Sequence, residues 1–127
     1  MSDLNLANNH ISDIGIGYLV PALKEMTGMS VLYLHNNHIS DTGIRYLVPA
    51  LKEMTGLSKL RLHDNNINDA GMKELASIII YLNSLQCLSL WGNNITSDGN
   101  NYIKQVWGNA NKPLYSLYLH YKEDACW

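Results

Sequence analysis

The eleven residues YLVPALKEMTG occur twice in this chain, at 18–28 and again at 46–56. The six residues NNHISD also occur twice, at 8–13 and 36–41, so both pairs are separated by 28 residues. Two identities of this length at one offset exclude coincidence. A fixed period of about 20 to 50 residues is typical of proteins built from stacked repeats. The sequence therefore predicts a chain made of equal structural units.

The same offset continues through the chain as a pattern of leucines. The spacing Leu-x-x-Leu-x-Leu-x-x-Asn-x-Ile begins at Met29, Leu57 and Leu85. The chain enters this pattern partway at Leu4, and its last copy begins at Leu114, one residue late. The predicted units are approximately 1–28, 29–56, 57–84, 85–113 and a partial 114–120, followed by a tail, 121–127.

This pattern resembles the leucine-rich repeat in its long, ribonuclease-inhibitor-like form. The resemblance implies an α/β fold, a right-handed solenoid that forms a horseshoe segment of about four and a half repeats in one domain, 1–127. A parallel β-sheet would line the concave face, with helices on the convex face. The repeat style is also similar to that of animal NOD-like immune receptors and of immune proteins made only of such repeats.

Elementary geometry leads to the same arrangement. Side chains alternate along a strand, so Leu32 and Leu34 point inward while Tyr33 points outward. Strands need about 4.8 Å each, whereas helices are roughly 10 Å across, so helices belong on the wider side. Stacked asparagine amides are expected to satisfy the backbone where the chain turns, at Asn9, Asn37, Asn65 and Asn93.

Helices are expected to follow each turn. Ser12-Asp13, Ser40-Asp41 and Asn68-Asp69 are good helix-start pairs. Glycines recur just after them, where tight packing excludes a larger side chain; they are Gly15, Gly43, Gly71 and Gly99. Pro21 and Pro49 predict a short or kinked helix in the first two repeats.

The outward positions of the strands are where the sequence predicts a binding surface. Tyrosine, tryptophan and arginine are the residue types that anchor interfaces. The candidate ligand-binding residues are Tyr33, His35, Lys59, Arg61, His63, Ser89, Trp91, Tyr118 and His120. The outward columns also include Asp3, Val31, Cys87 and Ser116 in the first column, Asn5 in the middle and Ala7 in the last.

Several of these residues admit a plainer interpretation. Trp91 can merely cover its neighbours, and Lys59 with Arg61 can be solvated charges rather than a carboxylate or phosphate site. Neighbouring His35 and His63 can share a metal with Asp64, but surface histidines without diagnostic spacing are the favoured interpretation. Cys87 is interpreted as an inert thiol, with a reactive thiol as the alternative.

Composition and motifs exclude several function classes. A formal charge of −2 with a pI near 6.2 predicts no nucleic-acid binding. No apolar run approaches a membrane span, and no secretory signal is visible. Nucleophile-elbow, zinc-protease, phosphate-loop and dinucleotide motifs are not found, so we expect no enzyme, cofactor or metal. Two cysteines outside any CxxC pair mildly favour a reducing compartment without excluding a secreted protein. The compartment stays open.

These observations predict a binding module that recognises a protein or a microbial surface component, such as a lipopolysaccharide-like glycan, on the concave face. By resemblance, innate immunity is the expected setting. The alternatives are an intracellular regulator or scaffold of the GTPase- or nuclease-regulating type, and a fragment of a larger NOD-like receptor. The uncapped first strand predicts a possible homodimer at the N-terminal end. The tail is expected to fold over the last repeat, with Trp127 as a plug.

Overall fold

The computed structural model describes residues 2–121, in which short strands and helices alternate along the chain. The strands are β1 Ser2–Asn5, β2 Met29–Tyr33, β3 Lys59–Arg61, β4 Cys87–Ser89 and β5 Leu117–Tyr118. The α-helices are α1 Asp13–Lys24, α2 Asp41–Lys52, α3 Asp69–Ala76 and α4 Ser97–Asn109. Two short 3-10 helices, Ile79–Tyr81 and Leu114–Ser116, precede β4 and β5.

All five strands form one parallel sheet in chain order, β1 to β5. Leu32 pairs with Leu60, and Leu60 pairs with Leu88, so residues 28 apart become neighbours. The pairing of Leu88 with Leu117 absorbs the one-residue delay of the last repeat. This arrangement confirms the α/β leucine-rich-repeat fold. The horseshoe curvature, its handedness and the repeat boundaries stay predictions.

The predicted column of asparagines is present and links each repeat to the one before it. The Asn65 amide donates to the carbonyl oxygens of Leu34 and Leu62, both at 3.1 Å, and accepts from the Ile39 N–H at 3.0 Å. Asn37 and Asn93 make the equivalent contacts with their own preceding repeats. Buried backbone groups at the turn are thereby satisfied, which removes a desolvation cost.

A column of aspartates forms a second link, which the sequence pattern had indicated only as helix starts. The carboxylate of Asp41, in the first turn of α2, accepts from the Asn68 N–H of the next repeat at 2.8 Å. Asp13 and Asp69 bind the backbone of the following repeat in the same way. The recurring glycines leave room for these carboxylates: a Cβ on Gly71 would lie 2.9 Å from Asp41 Cα.

The core lies between the sheet and the helices and consists mainly of leucine and isoleucine side chains. Trp107 of α4 closes its C-terminal end, and its indole N–H donates to the Pro113 carbonyl at 2.8 Å. The Lys112 ammonium is also buried there and donates to the Leu82 and Leu85 carbonyl oxygens at 2.7 and 2.9 Å. Burial lowers the pKa of Lys112.

The last repeat departs from the predicted pattern. Leu114, which aligns with the fully buried Leu85, is 57% exposed. Ser116, expected on the outward side of a strand, is buried at the end of a 3-10 helix, where its single hydroxyl hydrogen lies within bonding reach of the Gln86 and Pro113 carbonyl oxygens. Beyond Tyr121, the predicted tail and its Trp127 plug lie outside the described residues.

The prolines do not end their helices. Helices α1 and α2 each run three residues past Pro21 and Pro49. Helix α3 is the shorter one: it stops at Ala76, so the predicted helical position Ile79 falls in a 3-10 turn. Within residues 2–121, no helix has both the length and the apolar character needed to cross a membrane.

The close packing between the recurring glycines and the aspartates of the preceding repeat can be tested by substitution. Replacing Gly71 with alanine should lower the free energy of unfolding by about 1–3 kcal/mol, because the new methyl group meets the Asp41 backbone and carboxylate. Gly108→Ala is the matched control: Gly108 is also helical and has nothing within 4 Å of its added Cβ. Helix propensity predicts a gain of about 1 kcal/mol there. Urea unfolding of both variants measures the difference, and two gains would contradict the steric account.

Candidate functional site

The outer sheet face, meaning the side of the sheet opposite the core, carries the predicted columns in the predicted register. Asp3, Val31, Lys59 and Cys87 pair in one row. The next outward row joins Asn5, Tyr33, Arg61, Ser89 and Tyr118. The parallel register therefore brings the candidate residues of different repeats side by side.

The third column forms a continuous stack of rings, here called the aromatic ladder: His35, His63, Trp91 and Tyr121. The His35 and His63 rings lie 4.3 Å apart at 17°, and the His63 and Trp91 rings lie 4.3 Å apart at 14°. Tyr121 meets Trp91 edge-on, with centroids 4.9 Å apart. The facing sides of His35 and His63, and of His63 and Trp91, are thus covered by neighbouring rings.

The last place in the ladder differs from the prediction. The sequence pattern assigned it to His120, but Tyr121 makes the contact with Trp91 and His120 is exposed. The reason is that strand pairing ends at Tyr118, so the chain beyond it no longer follows the repeat register. Tyr121 could not be identified from the repeat pattern, because the pattern fails after Leu119.

The candidate residues divide by depth. Ser89, Tyr118 and His63 are buried, although Tyr118 does not belong to the core cluster. Tyr33, His35, Lys59, Arg61 and Trp91 are half-buried and present part of their surface, while His120 is exposed. The His63 Nδ1 and Ser89 Oγ atoms are 2.7 Å apart and hydrogen-bonded. Ser89 and His63 therefore support the surface from beneath.

The charges of this face come from its cations and not from its histidines. The Arg61 guanidinium lies over the Tyr33 ring, 4.5 Å from the centroid, which is a cation–π contact. Burial, reinforced by the Arg61 charge, lowers the pKa of His35. Burial, together with His35 and Arg61, lowers the pKa of His63 to about 3. Both imidazoles are therefore neutral at neutral pH.

The ladder geometry argues against a metal shared by His35 and His63. Their rings lie face to face, so their ring nitrogens do not converge on one point, and the His63 Nδ1 is engaged by Ser89. The neighbouring Arg61 charge also repels a cation. Among residues 2–121, no group of three or more His, Cys, Asp and Glu side chains is arranged to hold a metal ion.

The covalent state of Cys87 differs from both sequence-based interpretations. It is disulfide-bonded, so both the inert-thiol and the reactive-thiol hypotheses are wrong. The second cysteine of the sequence, Cys126, lies outside the described residues. Cys87 stands outside any CxxC pair and has no diagnostic spacing, which is why the pattern did not reveal its disulfide.

A cavity of about 400 Å³ opens beside the end of the ladder. Trp91, His120 and Tyr121 contribute to its wall together with Asp64 and Gly92. Burial raises the pKa of Asp64. Asp64 and Gly92 occupy the same left-handed turn position 28 residues apart, with φ of 56° and 73°. Alanine at Gly92 would collide with Asp64, so this turn is closely packed.

Comparison with known proteins agrees with this architecture. A sequence family described as Leucine Rich repeat matches residues 1–20 and 55–76. No significant match is found among curated proteins. The structure of leiomodin-1 actin-binding site 2 (ABS2) is 20% identical, with a TM-score of 0.80 over 97% of this chain and 72% of that chain. The tropomodulin C-terminal domain of Caenorhabditis elegans is 17% identical, with a TM-score of 0.75 over 97% of this chain and 75% of that chain.

The lowered pKa of His63 predicts how stability changes with pH. Below about pH 6.5, the unfolded chain binds a proton at this histidine, whereas the folded chain does not until about pH 3. The free energy of unfolding should therefore fall on acidification, by at most about 1.4 kcal/mol per pH unit for one histidine. In a His63→Gln variant that contribution disappears. Denaturant unfolding at pH 6.5, 5.5 and 4.5 measures both proteins, and parallel pH curves would show the assignment to be wrong.

Proposed function

Because this chain is a leucine-rich-repeat protein, we propose that it acts as a protein-binding module without catalytic activity, and that its partner contacts the outer sheet face. The observation that carries this proposal is the group of half-buried anchors on the outer sheet face. Tyr33, Arg61 and Trp91 belong to the three residue types that most often dominate binding energy in interfaces. All three are positioned by the same parallel register.

The anchors are also pre-organised for binding. Arg61 is held over the Tyr33 ring, and Trp91 is held between His63 and Tyr121. Side chains already fixed in the free protein lose less conformational entropy when a partner binds. Lys59 lies on this face, while His35 and His63 are neutral, so a partner surface with carboxylates fits the face best.

The structural neighbours support a protein as the partner class. The leiomodin-1 structure is that of an actin-binding site. That activity belongs to the neighbour, and a likeness at 20% identity carries the fold rather than the partner. Actin is nevertheless the first protein to test. An intracellular regulator or scaffold is a form of the same proposal, since it also requires a protein interface.

A microbial glycan is the weaker candidate ligand. Sugars commonly pack against exposed faces of aromatic rings, and here the His63 face and the Trp91 face cover each other. Innate immune recognition rests on the resemblance of the repeat style, and no contact in residues 2–121 favours it over other binding roles.

The partner surface can be tested with matched arginine variants. Arg61→Ala should weaken capture of the partner by at least about tenfold, which corresponds to about 1.4 kcal/mol. Arg45→Ala removes the same charge from an exposed position of α2 on the helical side, so it should leave binding unchanged. Trp91→Ala provides a second variant on the outer sheet face.

Co-sedimentation with actin filaments comes first, followed by capture on the immobilised full chain with identification of the retained proteins. Circular dichroism confirms that each variant is folded. Equal binding by the Arg61 and Arg45 variants would contradict the proposal, as would binding that survives both Arg61→Ala and Trp91→Ala.

Another copy of this chain is a second candidate partner, at the N-terminal end. There β1 is an edge strand, and α1 exposes Ile14 and Tyr18 to 71% and 82%. Such apolar exposure favours association. Light scattering should then give a dimer mass that returns to the monomer in an Ile14→Ser, Tyr18→Ser double variant. A monomer mass for the unaltered chain at about 0.1 mM would contradict self-association through the N-terminal end.

A further inference from the structure

The two histidines of the first two turns have nearly parallel rings that approach each other through one nitrogen of each ring. The His10 Nδ1 and His38 Nε2 atoms are 3.2 Å apart, whereas their ring centroids are 5.4 Å apart and the planes differ by 21°. The nitrogens are therefore the closest parts of the two rings. Both residues are exposed, and both lie in the turns that follow β1 and β2, away from the aromatic ladder.

We propose that His10 and His38 form a binding site for a divalent transition-metal ion, Zn²⁺ in the first place. Two nitrogens bound at about 2.0–2.1 Å to one tetrahedral ion lie about 3.3 Å apart. The observed separation of 3.2 Å matches this spacing. Neutral imidazole is the side chain that Zn²⁺, Cu²⁺ and Ni²⁺ share as a preferred ligand. Water molecules would complete the coordination.

Both histidines can offer a lone pair to the ion without losing a proton. One of the two facing nitrogens carries the proton of the present hydrogen bond, and the other accepts it. Neutral imidazole holds its single proton on either ring nitrogen, so that proton can move to the outward nitrogen of the same ring. Both facing lone pairs then become available. Because the side chains are exposed, rotation of both rings can turn the lone pairs towards an ion beside the line between them.

The backbone around the pair is held on both sides. The Asn36 side chain donates to the Asn8 side-chain oxygen just before the histidines. The His38 N–H donates to the Ile11 carbonyl at 2.9 Å just after His10. The loops are thus locked in register by contacts that do not involve the rings, which lowers the entropy cost of bringing two ligands together.

A second pair of histidines with the same spacing meets in a different geometry. His35 and His63 have the same 28-residue spacing, but their rings lie face to face at 4.3 Å beside a cation. Sequence spacing does not distinguish these pairs. The lateral offset of the rings does, and it singles out His10 and His38 as the pair whose nitrogens meet.

The repeats themselves supply suitable variants for the test. The same turn position is occupied by Asn66 and Asn94 in the next two repeats, so His38→Asn places a residue that this turn already accommodates. His10 has a φ of 55°, a left-handed conformation in which asparagine is enriched, so His10→Asn also suits its backbone. His120→Asn removes an exposed histidine elsewhere and serves as the matched control. Thermal unfolding confirms that each variant remains folded.

Isothermal titration of the full chain with Zn²⁺ should show one ion per chain. Loss of a supporting residue around a metal ligand costs about 10–100-fold in affinity, so removing a ligand itself should weaken binding at least about tenfold. His120→Asn should bind as the unaltered chain does. Imidazole NMR signals of His10 and His38 should shift together when Zn²⁺ is added.

Three results would overturn the proposal. These are no saturable binding by the unaltered chain, full binding by both His10→Asn and His38→Asn, and NMR shifts confined to other histidines. The site shares no residue with the outer sheet face, so its failure would leave the proposed protein-binding function standing, and the reverse also holds.

Discussion

Hydrogen bonds that run from one repeat to the next hold this molecule in register. Each asparagine of the Asn37, Asn65 and Asn93 column bridges a carbonyl of its own repeat and groups of the repeat before it. The aspartates bind forward, to the repeat that follows. Leucine packing alone is non-directional and tolerates sliding. Directional bonds of both kinds, repeated every 28 residues, tie each unit to both of its neighbours.

The outer sheet face depends on that register. A shift of one residue between two strands would turn outward side chains into the core, because successive side chains alternate faces. With the register held, histidine and tryptophan rings from three repeats stack at 4.3 Å, closer than the usual strand spacing of about 4.8 Å. The stack buries the imidazoles enough to keep them neutral.

The same scaffold gives two histidine pairs different chemistry. Just beyond the ends of β2 and β3, the rings of His35 and His63 lie face to face. In the turns, His10 and His38 have open space around them and meet through their nitrogens. Identical sequence spacing thus leads to a packed ring stack in one place and to converging nitrogen ligands in the other. The difference arises from the element that carries each pair.

The sequence by itself determined the repeat length, the parallel order of the strands, the asparagine column and the identity of the residues that share each outward column. It could do so because a strict period makes residues 28 apart neighbours, whatever their side chains are. The exclusion of bulky residues from Gly43, Gly71 and Gly99 also followed from the period, although its cause, the aspartate of the preceding repeat, did not. Only the tertiary structure decided which outward residues are accessible. Ser89 and Tyr118 stand in the correct column and are buried, Tyr121 replaces His120 beside Trp91, and Cys87 is disulfide-bonded. Exposure, ring orientation and covalent pairing depend on what lies above a residue in space. A repeat pattern identifies which residues are neighbours within the sheet. It carries no information about what covers those residues on the outer side of the sheet.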